Sequence, residues 1–142
     1  MLPNYFYVVN VEGAIVKDGR YLLVTRGTGE THAAGLLSLV GGKVENTQQA
    51  DNVLEETLRR EIEEEVGVHV GAMTYVESKA FVASDGEPVV DIVFLCQYTA
   101  GEAIVKDADE VAVAHWLTAH EVLNFPNVPP WTQQSIILAE QK

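Results

Sequence analysis

Leu54, Leu58, Ile62 and Val66 recur every four residues, the spacing of one helical face, and predict a helix over about Val53 to Val66. Asn52 followed by Glu55 fits a capping box at its start, and Gly67 stands just past its end as a stop. On either side the pattern is that of strands. Tyr5 to Val16 is rich in Val, Tyr, Phe and Ile, Lys17-Asp18-Gly19-Arg20 reads as a hairpin turn, and Tyr21 to Thr25 returns. A loop is expected from Arg26 to Gly35, then a short strand over Leu36 to Val40 that Gly41-Gly42 breaks. After the helix, Val68 to Val82 reads as extended, and Ser84 to Glu87 turns the chain into a strand from Val89 to Tyr98. Val111 to Leu117 predicts a last strand. Helices are expected over Thr118 to Leu123 and Thr132 to Glu140, separated by the Pro-rich break at Pro126 to Pro130. Strands flanking a central helix, with helices at the end, imply an α/β or α+β sandwich. Two hairpin signals make the sheet mixed.

The 142 residues suit one domain spanning 1–142, with no internal repeat and no low-complexity linker. No apolar run approaches the roughly 20 residues that span a bilayer, and the N-terminus lacks a secretory pattern. The single cysteine, Cys96, lies within the apolar run VVDIVFLCQY, so a buried strand thiol in a reducing, cytoplasmic setting is expected. The formal net charge of −12 argues against nucleic acid and anionic membranes as partners. A chain this acidic that handles phosphate needs positive charge from elsewhere, and bound metal is one source; acidity serving solubility alone is the other reading.

The candidate chemistry lies in Arg59-Arg60-Glu61-Ile62-Glu63-Glu64-Glu65-Val66-Gly67-Val68. Glu61, Glu64 and Glu65 are spaced i, i+3, i+4 and share one helical face. At about 100° per residue, Glu65 falls in the angular sector of the apolar stripe and Glu61 at its edge. A carboxylate facing a core must be paired, protonated or metal-bound. Oxygen-only ligation suits Mg²⁺, with Mn²⁺ the alternative. Arg60 is placed to pair with Glu64, while Glu56, Arg59 and Glu63 fall on the far side as a solvated face. A Glu-rich surface helix is the plain alternative. The four histidines, His32, His69, His115 and His120, show no ligand spacing. Trp116 and Trp131 read as packing residues, as do most of Tyr5, Phe6 and Tyr7.

With Gly41-Gly42-Lys43-Val44-Glu45 upstream, the stretch resembles the Nudix box, G-x5-E-x7-R-E-U-x-E-E-x-G-U, where U is a bulky aliphatic residue. Its second half, from Arg60 to Val68, matches at every position. The first half departs from it. Gly42 precedes Arg60 by four residues more than the pattern, so the loop over 46–52 carries an insertion. The box's first glutamate is replaced, by Asn52 counting back or Gln48 counting forward. Outside the box, Arg26 ends the strand pair, and Asp109-Glu110 precedes the Trp-containing strand at His115-Trp116-Leu117, as in family members.

The resemblance implies a Nudix-type α/β/α sandwich around a mixed β-sheet. It implies a metal-dependent pyrophosphohydrolase in which water attacks a nucleoside diphosphate linked to another moiety. Glu61, Glu64 and Glu65 would ligate Mg²⁺, with the Gly41 or Gly42 carbonyl completing the coordination. Either a member of the cluster or Glu110, with Asp109 second, would deprotonate the water; Glu45 and Arg60 would orient the cluster, and Arg26 would touch substrate. The substrate stays open among a nucleotide sugar, ADP-ribose and a nucleoside triphosphate. A proline about sixteen residues past the box, seen in some ADP-ribose relatives, is replaced by the neighbourhood of Val82 to Asp85. Family members are often dimers. A non-catalytic Nudix-fold nucleotide sensor is the second reading, and an isomerase on the same fold would need a loop cysteine where Cys96 lies in a strand.

Overall fold

The computed structural model describes residues 6–26, 35–45, 48–104 and 111–142, with the side chains of Arg26, Val111 and Ala112 left aside. Its elements run β1 (Val8–Lys17), β2 (Arg20–Arg26), β3 (Leu37–Ser38), β4 (Val40–Lys43), α1 (Val53–Val66), β5 (His69–Val82), β6 (Pro88–Ala100), β7 (Val111–Leu117), α2 (Ala119–Leu123) and α3 (Pro130–Glu140). β1 and β2 join through Asp18 and Gly19, both at positive φ (50° and 77°), as a two-residue hairpin of matching twist requires. β1 pairs in parallel with β6 and antiparallel with β2 and β4, so the sheet is mixed. β5 pairs with β6, and β7 with β2.

The sheet forks. β2 pairs with β1 only through residues 20–22; beyond that its partner is β3, while β1 takes β4. The short run from Leu37 to Lys43 is therefore shared between the two diverging strands. Gly41 and Gly42, expected to break the strand, lie inside β4, opposite Glu12 and Val11. Gly41 is required there because a Cβ would stand 2.0 Å from the carbonyl oxygen of Val11.

Two apolar layers sandwich the sheet. On one side Leu58, Ile62 and Val66 of α1 pack on Val11, Ile15, Leu22, Val24 and Val40. On the other, Ile136 and Ala139 of α3 and Val122 of α2 pack on Ala14, Leu23, Leu37, Leu39, Val93 and Leu95. Leu58, Ile62 and Val66 are fully buried, each contributing about 1.5–3 kcal/mol of transfer free energy. The α1 boundaries fall where the apolar period places them, and Gly67 caps the helix in the left-handed region, φ 73°. The expected N-terminal capping box is absent. Asn52 is itself left-handed (φ 53°), where a capping residue is ordinarily extended, and its side chain makes no cap hydrogen bond. A capping box forms instead at Thr118 and Glu121, on α2.

Other expectations need correction. Phe6 and Tyr7 precede β1 rather than belonging to it and are 59% and 47% exposed. Tyr5 lies outside the described residues. Trp131 is half exposed at the first turn of α3. Trp116 does pack, edge-on to Tyr98 with ring centroids 5.9 Å apart. Arg59, though its side chain is 39% exposed, also donates from its guanidinium to the carbonyl oxygens of Val70 and Gly71 and ties α1 to β5.

Candidate active site

The face of α1 turned to the sheet carries its carboxylates at graded depth. Glu65, one residue before the buried Val66, is 4% exposed. The Glu61 side chain, one turn earlier, is 16% exposed, and Glu64 lies in the open. This order follows from helical geometry, with Glu65 inside the apolar sector and Glu61 at its margin. The three residues that the spacing places on one face thus lie at three depths.

β4 backs this face with bare backbone. A Cβ at Gly42 would lie 2.5 Å from Cδ of Glu61 and 2.7 Å from its Oε2, so only glycine lets the carboxylate lie against the strand. Arg60, expected to pair with Glu64, instead places Nη2 3.7 Å from Oε1 of Glu61. Glu45 is exposed just beyond β4. It lines an open groove of about 620 Å³ along the first turns of α1, together with Asp51, Val53, Thr57 and Arg60. Neither that groove nor the smaller one between α1 and β5 is lined by Glu61, Glu64 or Glu65.

Among the described residues, no three His, Cys, Asp or Glu side chains converge closely enough to hold an ion as they stand. Carboxylates on one face repel one another without a cation between them. The donor set nonetheless suits a hard divalent ion: oxygen ligands only, on one helix, with the Gly42 backbone against Glu61. Arg26 ends β2, but its side chain lies outside the described residues, as do Glu110 and Asp109. Cys96 is fully buried, and burial pushes its thiol up to about 12, so no thiolate nucleophile is at hand. His115 packs between Thr25, whose hydroxyl lies 3.0 Å from its Nε2, and the ring of Phe125.

A family model for the NUDIX domain matches residues 7–138. The chain belongs to the NUDIX family. Among curated relatives it is similar to an NAD-capped RNA hydrolase NudC of Vibrio vulnificus, 33% identical over 112 residues, which are 78% of this chain and 38% of that protein. The NudC protein of Vibrio parahaemolyticus is 30% identical over 98% of this chain and 47% of its own length. The chain thus spans less than half of the curated relatives it matches. A MutT Nudix hydrolase from Burkholderia pseudomallei superposes with a TM-score of 0.78 at 28% identity, covering 94% of this chain and 98% of that one. The Nudix domain of Shewanella oneidensis NrtR, solved with ADP-ribose, gives 0.76 at 21% identity over 99% and 92%, a likeness of fold. Nudix hydrolases generally use divalent metal ions. No helix among the described residues is long and apolar enough to cross a membrane.

Proposed function

We propose that this Nudix domain is a Mg²⁺-dependent pyrophosphohydrolase that cleaves a nucleoside diphosphate linked to another moiety. The observation that carries the reading is the intact run from Arg60 to Val68 with Glu65 buried, Glu61 half-sunk and Gly42 open beside it. A buried carboxylate stays ionised beside hydrogen-bond donors or compensating positive charge, and a divalent cation would supply such charge. Glu61, Glu64 and Glu65 would hold Mg²⁺, with the Gly41 or Gly42 carbonyl as a further oxygen. The ion would supply the positive charge that an acidic protein lacks for a diphosphate. Arg60, held beside Glu61, orients that carboxylate. Glu45 helps to orient the cluster, Arg26 contacts substrate, and Glu110 or a member of the cluster takes the proton from the attacking water. The lone buried thiol fits a cytoplasmic setting.

The test is release of phosphate or nucleotide from a panel of nucleoside diphosphate derivatives with Mg²⁺, comparing wild type with Glu64→Gln. Turnover that chelation and the substitution both abolish is the expected result. Tight binding of one compound without turnover of any would replace this reading by a nucleotide sensor.

A further inference from the structure

The open groove along the first turns of α1 holds a hydroxyl with no partner. Thr57 lines it, is 4% exposed, and makes no side-chain hydrogen bond among the described residues. A hydroxyl this deep costs free energy unless something bonds it, so buried hydroxyls are nearly always satisfied. Its oxygen is not sealed off as that of Ser38 is, and the groove is what it opens to. At about 620 Å³ the groove falls within the roughly 300–1,000 Å³ of small-molecule sites. Around Thr57 stand Glu45 just beyond β4, Asp51 from the stretch that is longer than the Nudix pattern, and Glu56 and Arg60 on α1.

Helical spacing sets this groove against the glutamates. Thr57 lies one turn before Glu61, and Arg60 one turn before Glu64, about 6 Å along the axis at 1.5 Å per residue. A diphosphate held at Glu61 and Gly42 therefore has the groove within reach of a group attached to it. Charge decides what that group is. Three of the four charged groups lining the groove are carboxylates. Glu56 has Arg59 3.8 Å away, but Glu45 and Asp51 form no ion pair among the described residues, and Arg60 already lies 3.7 Å from Glu61. The third phosphate of a nucleoside triphosphate would be repelled there. An uncharged group rich in hydroxyls would be held, because carboxylates accept strongly from hydroxyl donors and the threonine hydroxyl both donates and accepts. We propose that this groove binds the non-nucleotide half of the substrate and selects a neutral sugar, with Thr57 and Asp51 bonding its hydroxyls. The assignment rests on the hydrolase reading and narrows its substrate to a nucleoside diphosphate sugar.

Steady-state hydrolysis with Mg²⁺ of ADP-, GDP-, CDP- and UDP-glucose and of ADP-ribose, against the four matching triphosphates, tests the assignment. Wild type should favour a diphosphate sugar over the triphosphate of the same base. Thr57→Val keeps the shape and removes the hydroxyl; it should raise KM for that sugar about tenfold, the value of one neutral hydrogen bond, at nearly unchanged kcat. Its melting temperature should hold, because no bond within the protein is lost. Asp51→Asn should lower kcat/KM for the sugar and raise it for the triphosphate, narrowing the gap. Should Thr57→Val fail to fold, Asp51→Asn, at an exposed position, decides alone. A wild type that cleaves triphosphates best overturns the proposal, as does unaltered discrimination in Asp51→Asn. In both cases turnover that Glu64→Gln abolishes leaves the hydrolase reading standing. Absence of Glu64-dependent turnover of every compound overturns both.

Discussion

At Gly41 and Gly42 one added carbon has two different consequences. A Cβ on Gly41 meets the carbonyl oxygen of Val11 and Cα of Glu12, backbone that β4 pairing holds in place. Gly41→Ala should therefore destabilise the fold by on the order of 3 kcal/mol, seen as a large fall in melting temperature. A Cβ on Gly42 meets only the end of the Glu61 side chain, which can turn aside. Gly42→Ala should cost about 1 kcal/mol of stability yet weaken Mg²⁺ binding markedly by calorimetry. Mg²⁺ affinity equal to wild type would remove Glu61, in the position seen here, from the ligand set. Much of this site was legible beforehand. Angular position alone placed Glu65 inside and Glu61 at the margin, because helix geometry is fixed by spacing. What Gly42 lies against was not legible, since that depends on which strand packs beside α1. Arg59 escaped for the same reason: its partners are carbonyls of β5, and no periodicity in α1 reveals them.

Among the elements, α1 and α2 start in opposite ways, and substitutions at their first residues should diverge. Thr118 accepts from the backbone N–H of Glu121 while the Glu121 side chain accepts from the backbone N–H of Thr118. Thr118→Ala should cost about 1 kcal/mol in denaturant unfolding. Asn52 makes no cap bond and holds positive φ, so Asn52→Gly should leave stability within about 0.5 kcal/mol or raise it. A loss at Asn52 as large as that at Thr118 would mean that the Asn52 side chain caps α1 after all. Both helices were predicted with good boundaries, yet the capping box was assigned to the wrong one. The reason is local: Asn-x-x-Glu and Thr-x-x-Glu are both cap patterns, and only the backbone conformation of the first residue decides between them. Ile62→Ala, in the middle of α1, should cost about 2–5 kcal/mol, because it empties a site enclosed on all sides. The strand assignments transferred for a similar physical reason. Alternation and turn residues mark strands, but the fork between β1 and β2 is a matter of pairing, so the glycines read as a break proved to be a strand.

Over the whole molecule, two groups whose titration the fold shifts, Glu77 and His115, lie with the α2 and α3 layer, away from the glutamate helix, and acid should act there. Burial alone would raise the Glu77 carboxyl, but hydrogen bonds from Ser135 and Gln134 of α3, with Lys79 beside it, hold it below the usual carboxylate range. A depressed carboxylate contributes stability above its unfolded value, near 4.5, and loses it as pH falls through the folded value. His115 moves the other way in charge but not in consequence. Burial lowers it from 6.5, so as pH falls below that value the unfolded chain takes the proton first and stability drops. Acidification should therefore act in two steps: His115 from about pH 6.5 downward, Glu77 only below about 4.5. Melting temperature followed from pH 7 to pH 4 resolves them. His115→Gln should flatten the upper step and leave the lower, and Glu77→Gln should lower stability at neutral pH while flattening the lower step. Should His115→Gln show the wild-type slope between pH 7 and pH 5, burial of that imidazole has no bearing on stability.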